Sequence, residues 1–264
     1  FLTTQNYELT REIIIEIFRH QFKETGEWPQ WFMFDKYKMQ QDDSHGDVIF
    51  WPIKVIGDYI KATGDLSILD IEVEYRHFPH GELTEKETIL QHVKNAIVSI
   101  SGRFLYDTAL ISYAGGDWDD TLQPANKALK EKLVSSWTMA LAYQAINQLS
   151  EVLASKESDY AVELTEMALA IKRDFNELLI KDDVIAGFAY CEDGNSIDYM
   201  LHPEDKKTGI NYRLLPMTRS IISELVDEEQ ANKNVKLIEE HLMCPDGVRL
   251  MNHPATYKGG VIEF

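Results

Sequence analysis

Between Ala114 and Pro124 the chain reads AGGDWDDTLQP, so that Asp117, Asp119 and Asp120 surround Trp118 directly behind a Gly-Gly pair. Carboxylates crowded in this way do not ionise independently. Mutual repulsion and partial burial would favour the protonated form of at least one of them, which suits an acid role. A carboxylic acid that keeps its proton near neutral pH is what a glycosidic oxygen needs in order to leave. In an inverting displacement the nucleophile attacks from the other face of the sugar, and the two catalytic partners stand roughly 6.5–9.5 Å apart to admit it. Trp118 would supply an apolar wall or a face for the sugar ring. The same residues also read as a helix N-cap turn, with the Asp side chains capping the next helix and Trp118 in the core.

The chain around this turn is dominated by helical periodicity. Leu9, Ile13, Ile14, Ile17, Phe18 and Phe22 predict a first helix that stops near Gly26. A second is expected from about Phe50 to Thr63, with Pro52 in its first turn and Gly64 as its stop. The pattern Thr84-x-x-Glu87 predicts a capping box for a third helix carrying Leu90, Val93, Ile97, Ile100 and Phe104. A fourth is expected from near Pro124 to about Leu153, and a fifth holds Leu164, Met167, Ile171, Phe175 and Leu178. A sixth follows Pro216, and a seventh opens on Asp227-x-x-Gln230 and runs to Leu242.

The links between these helices alternate in length. Ser155–Ser158 and Asp227 make short connections, whereas Trp28–His45, Leu105–Gln123, Ile180–Tyr212 and the stretch after Cys244 are long and rich in aromatic residues, Gly and Asp. GEWPQWFMFDKY and DDVIAGFAYCED carry the alternation of short strands or hairpins inside those loops. Short links make antiparallel helix pairs, and long ones carry the chain to the next pair. The expected fold is therefore all-α: about three and a half helix pairs of an (α/α)6 barrel, with short β-hairpins in the long loops. If outer and inner helices alternate, HGDVIFWP, GGDWDDTLQP, GINYRLLPMTR and NHPATYKGG all meet at one mouth, where helix N-termini favour anions.

Composition narrows the ligand. With 26 Lys and Arg against 44 Asp and Glu, the formal net charge is −18, which repels nucleic acid and anionic membrane surfaces. A neutral substrate suits such a field, and an anionic one needs local cations. Arg213, Arg219, Arg249, His253 and Lys258 are the basic residues nearest the presumed mouth. Asp47, at the start of an inner helix, can bond sugar hydroxyls or cap the helix, and Trp51 reads as core. No apolar run approaches the ~20 residues of a membrane span. Two cysteines, Cys191 and Cys244, are too few for a disulfide framework, so a reducing, cytoplasmic setting is expected. The chain begins without Met and ends at GGVIEF, which is read as a piece of a longer protein. No metal is expected. His77-Phe78-Pro79-His80 and the set His241, Cys244 and His253 lack a recognised ligand spacing, and the Cys191–Asp198 loop lacks the Glu that completes an EF-hand. There is no P-loop and no serine nucleophile elbow.

Three ordered segments, HGDVIFWPIKVIGDYIKATGDLSILD, GGDWDDTLQP and GVRLMNHPATYKGG, resemble the glycoside phosphorylases of glycoside hydrolase family 94. The resemblance extends from about Gly46 to Gly260 and implies part of a single (α/α)6-barrel catalytic domain, residues 1–264, without the N-terminal β-sandwich and the rest of the barrel. It implies an inverting phosphorylase acting on β-linked gluco-oligosaccharides to give α-glucose 1-phosphate, with inorganic phosphate as co-substrate and no cofactor. Oligosaccharide and phosphate would be its only ligands, with no nucleic acid or membrane partner and a homodimer left open. The family's acid motif places the general acid at Asp120, with Trp118 lining the sugar site and Asp117 and Asp47 as further substrate ligands. Asp119 where cellobiose phosphorylases have Asn, together with His45-Gly46-Asp47 in place of their N-D-D, leans toward the 1,2-β-oligoglucan branch. His253, Arg219 and Lys258 are the phosphate candidates. Tyr257-Lys258-Gly259-Gly260 departs from the family's E-N-G-G, and the position of its phosphate-binding His is Phe264. An inverting hydrolase on the same barrel, with Asp35 or Asp47 as base, and an inactive carbohydrate-binding fragment are the rival readings.

Overall fold

The computed structural model of the chain describes residues 1–34, 40–41, 43–79, 82–118 and 127–254, with only the backbone of Lys127. Among the described residues there are eight α-helices: α1 Tyr7–Phe18, α2 Phe50–Thr63, α3 Ile89–Ser101, α4 Lys127–Lys130, α5 Ser136–Leu153, α6 Ser158–Leu178, α7 Leu214–Ile222 and α8 Glu228–His241. Nine short strands join them: β1 Glu72–Arg76, β2 Leu83–Thr88, β3 Leu133–Ser135, β4 Ile180–Lys181, β5 Val184–Ile185, β6 Phe188–Tyr190, β7 Asp198–Met200, β8 Met243–Cys244 and β9 Gly247–Val248. The chain divides into two compact units, Phe1–Arg103 with Ala145–Thr165, and Phe104–Gln144 with Glu166–Phe264.

In the first unit α1 buries Ile14 and Phe18, and Asn6 caps it by accepting a hydrogen bond from the Leu9 amide. It ends at Phe18, eight residues short of the expected stop at Gly26. Polar side chains draw the chain away. The buried Gln21 amide donates to the carbonyls of Gly26 and His92, and Phe22 pairs with Arg76 as an isolated parallel bridge. Helix α2 follows its sequence pattern, with Pro52 in the first turn and Gly64 in a left-handed C-cap whose N–H reaches the Ile60 carbonyl at 2.7 Å. Helix α3 opens one box later than expected. Thr88, not Thr84, is its cap, accepting from the Gln91 amide at 3.2 Å. Thr84 and Glu87 lie in β2, which pairs antiparallel with β1 and buries Val73 and Tyr75.

The buried imidazole of His92 on α3 stacks on Tyr75, ring centroids 3.7 Å apart, and its Nε2–H donates to the Val73 carbonyl. Burial pushes its pKa down to about 4. The unfolded chain therefore takes up a proton near pH 6.5 that the folded chain refuses. The stability His92 confers is complete above pH 6.5 and is lost as the pH falls toward 4, by up to about 1.4 kcal/mol per pH unit. In urea titrations between pH 7 and 5, His92→Gln is expected to flatten this dependence. An unchanged slope would assign the acid sensitivity elsewhere.

In the second unit β6 is the centre of a three-stranded antiparallel sheet, flanked by β3 and β7. The expected fourth helix does not run unbroken from Pro124, which lies outside the described residues. A single turn, α4, gives way to β3 before α5 begins at Ser136. Leu133, Val134 and Ser135 have both periodicities, and pairing with Phe188–Tyr190 decides for the strand. Strands β4 and β5 join through Asp182 and Asp183, both at positive φ, the geometry of a two-residue hairpin turn. Helix α7 starts at Leu214, so Pro216 sits inside its first turn, and α8 is capped by Asp227 accepting from Gln230 as its sequence predicts. Tyr113, Leu133, Phe188, Met200, Leu201 and Ile210 form one buried apolar cluster of this unit, against which Tyr190 and Met251 pack.

Candidate functional site

The turn that carries the acidic motif is built by its glycines. The Tyr113 amide donates to the Leu133 carbonyl at 2.7 Å, and the chain then reverses through Ala114 at φ 51° and Gly116 at φ 150°. A φ of 150° is open to glycine and strained for other residues, so Gly116 is fixed by backbone geometry. The reversal sorts the next two side chains. Asp117 is fully buried, and Trp118 is 59% exposed. The capping reading placed Trp118 in the core, and here the tryptophan is exposed while Asp117 is buried. Asp119 and Asp120 lie outside the described residues.

Asp117 is held from two directions. Its Oδ2 accepts a hydrogen bond from Ser135 Oγ at 2.6 Å, and Arg213 Nη2 stands 3.7 Å from the same oxygen. Arg213 has no exposed side-chain surface. Its Nη1 donates to the Gly187 carbonyl at 3.4 Å, and its guanidinium lies over the Phe188 ring at 4.6 Å. Gly187 is where the backbone comes closest. A Cβ there would lie 2.6 Å from Leu201 Cβ and 3.1 Å from Arg213 Cδ. Arg213 is also the N-cap position of α7, and its backbone pairs with Met251. Trp118 leans on Trp137 of α5, centroids 6.3 Å apart and planes at 34°. The exposed indole is therefore backed by a buried one.

In the first unit Asp47 is 4% exposed and accepts at Oδ2 from Trp51 Nε1 at 3.1 Å. Trp51, expected in the core, is 37% exposed. Phe50, Pro52, Ile53 and Ile56 take the buried face of α2, which leaves Trp51 on the other side with its ring nitrogen on Asp47. Arg103 donates to the Gly46 carbonyl at 2.8 Å and fixes the bend before α2. Here the buried Asp and the partly exposed Trp are bonded to each other, whereas Asp117 and Trp118 are neighbours in sequence with separate partners.

Among the phosphate candidates, Arg219 is half-buried in the last turn of α7 and His253 is exposed beyond the Met251 bridge. Lys258 lies outside the described residues, as does Asp35. Arg213 is buried against Asp117, and Arg249 is exposed. Sequence reasoning missed Ser135 and Trp137, because LVSSW was read as helix interior. The Ser-Ser pair ahead of a Trp was the available signal for a strand end. His77 bonds Glu24, and His241 stacks on Tyr212 at 4.0 Å. Among the described residues no group of three His, Cys, Asp or Glu is arranged to hold a metal ion, and no helix is long and apolar enough to cross a membrane.

The sequence profile described as "Glycosyl hydrolase 94 superfamily, catalytic domain" matches residues 4–261. A 1,2-beta-oligoglucan phosphorylase from Listeria innocua is 49% identical over 99% of this chain and 24% of its own length. A solabiose phosphorylase from Paenibacillus borealis is 26% identical over 94% of this chain and 30% of its own. The chain thus spans about a quarter to a third of the length of these curated relatives. Among solved structures, a rhamnosidase from Klebsiella oxytoca with rhamnose bound superposes with a TM-score of 0.57 at 9% identity, over 89% of this chain and 38% of that one. That likeness is one of fold alone.

Proposed function

The chain belongs to the glycosyl hydrolase 94 superfamily, as a stretch of its catalytic domain, and from that premise we propose that it is part of an inverting glycoside phosphorylase of the 1,2-β-oligoglucan type. In this reading residues 1–264 form about three and a half helix pairs of one (α/α)6 barrel within a longer enzyme. Asp120 protonates the glycosidic oxygen as it leaves, and inorganic phosphate attacks the opposite face of the sugar, giving α-glucose 1-phosphate and a shortened acceptor. Trp118 offers its face to the sugar ring, and Asp117 holds the turn that carries it. Arg219, His253 and Lys258 provide the positive charge that phosphate needs against a net charge of −18.

The observation that carries the reading is the contrast at the motif itself: Trp118 stands 59% exposed directly after a fully buried Asp117. An isolated exposed indole wastes apolar surface. One pinned at its root by a buried acid and backed by Trp137 is a platform for a ring with an apolar face. In the full-length protein Trp118→Ala is expected to raise the KM for oligosaccharide about tenfold, a loss near 1.4 kcal/mol, with the KM for phosphate unchanged. Equal changes in both would remove Trp118 from the sugar site.

The test of specificity is a linkage panel. β-1,2-linked glucose oligomers should be consumed in the presence of phosphate much faster than β-1,4-linked ones. Preference for β-1,4 linkages would move the protein to another branch, and sugar release indifferent to phosphate would favour an inverting hydrolase.

A further inference from the structure

A buried ion pair beside an apolar cluster is weak evidence of stabilisation. Its desolvation cost rivals its attraction, and well-packed apolar residues often do as well. The Arg213 guanidinium of the Asp117–Arg213 pair lies over Phe188 of such a cluster, so stability alone does not account for the pair. Its contacts supply a further reason. Through Ser135, Asp117 is joined to the first turn of α5, where Ser135 Oγ also accepts from the Thr138 amide at 3.4 Å. Through Arg213 it is joined to the Gly187 carbonyl, the N-terminus of α7 and the backbone of Met251. Ser135 from β3 and Arg213 from the start of α7 therefore meet on one carboxylate, which has no exposed surface of its own. Gly187 packs so closely on Leu201 and Arg213 that no Cβ fits there.

Resting on the reading of Asp120 as general acid, we propose that Asp117, Ser135 and Arg213 are positioning residues for that acid and touch no substrate. Asp117 and Asp120 are three residues apart, so their Cα atoms lie within about 11 Å whatever the path between them. A shift at Asp117 passes into the acid and the indole together. Misplacement of a reacting group by about 1 Å costs on the order of 100-fold in rate. The acid matters only when the leaving group needs a proton. The positioning network should therefore matter for a sugar leaving group and lose its importance for dinitrophenolate, which departs as the anion.

The experiment compares Ser135→Ala, Asp117→Asn and Arg213→Lys with Asp120→Asn in the full-length protein. Each is assayed with phosphate on a β-1,2-linked gluco-oligosaccharide and on a dinitrophenyl β-glucoside. The three network variants are expected to lose about 10- to 100-fold in kcat on the oligosaccharide, within about twofold of the parent in the KM for phosphate. On the dinitrophenyl glucoside they should lose less than about threefold, the pattern of Asp120→Asn itself. Equal losses on both substrates, or no loss on either, would overturn the proposal. Ser135→Ala, which removes one hydroxyl and leaves both charges in place, carries the test if the other two variants fail to fold. If Asp120→Asn alone loses activity equally on both substrates, the reading of Asp120 as the acid fails, and the proposal fails with it. That outcome is seen in a different variant from the others.

Discussion

Asp120→Asn in the full-length protein should lower phosphorolysis of a β-1,2-linked gluco-oligosaccharide by about 10²- to 10⁴-fold while leaving its melting temperature nearly unchanged. The substitution keeps the volume and planar shape of the side chain and removes only its transferable proton. A sugar alkoxide is a poor leaving group, so the whole cost falls on bond cleavage, about 3–5 kcal/mol of barrier. Asp119→Asn offers the internal comparison. It alters charge at the neighbouring position, and a much smaller loss is expected, because one carboxyl group alone donates to the departing oxygen. Comparable losses for the two would mean that the motif acts as a charged cluster and not through a single acid.

The largest effect on stability is expected at Arg213. Methionine fills much of the same space, yet Arg213→Met should destabilise the fold by about 3–5 kcal/mol, because Asp117 is left charged and buried without the guanidinium that faces it. The double variant Asp117→Asn/Arg213→Met removes both charges. It should be markedly more stable than the sum of the single effects predicts, since the two side chains form one unit. Denaturant midpoints of the three variants and the parent measure this directly. Strict additivity would show that Arg213 acts through the Gly187 carbonyl and the Phe188 ring, independently of Asp117.

Much of the helical plan was legible because local signals stood alone. Gly64 ends α2 and Asp227-x-x-Gln230 opens α8 where the sequence places them, each with a single candidate residue for the role. Where two signals competed, the sequence could not choose. Thr84-x-x-Glu87 and Thr88-x-x-Gln91 are both capping boxes, and only the pairing of β2 with Glu72–Arg76 decides for the second. Leu133–Ser135 carries helical and strand periodicities at once, and its partner strand lies far along the chain. The site shows the same limit. Asp117 and Trp118 were found by residue type and spacing, but which of the two enters the core depends on Ser135 and Arg213, distant in sequence. Trp51 misled for a similar reason: its apolar character predicted burial, and the bond from its ring nitrogen to Asp47 was not readable from the pattern of α2.

The central claim is that phosphate, not water, receives the sugar. The measurement that tests it most directly follows the products of a β-1,2-linked gluco-oligosaccharide incubated with the full-length protein, with and without inorganic phosphate, by phosphorus and proton NMR. The account predicts that α-glucose 1-phosphate accumulates one for one with shortened oligosaccharide, and that almost nothing is released when phosphate is withheld. Free glucose formed at the same rate in both samples, or a β-configured phosphate ester, would contradict it.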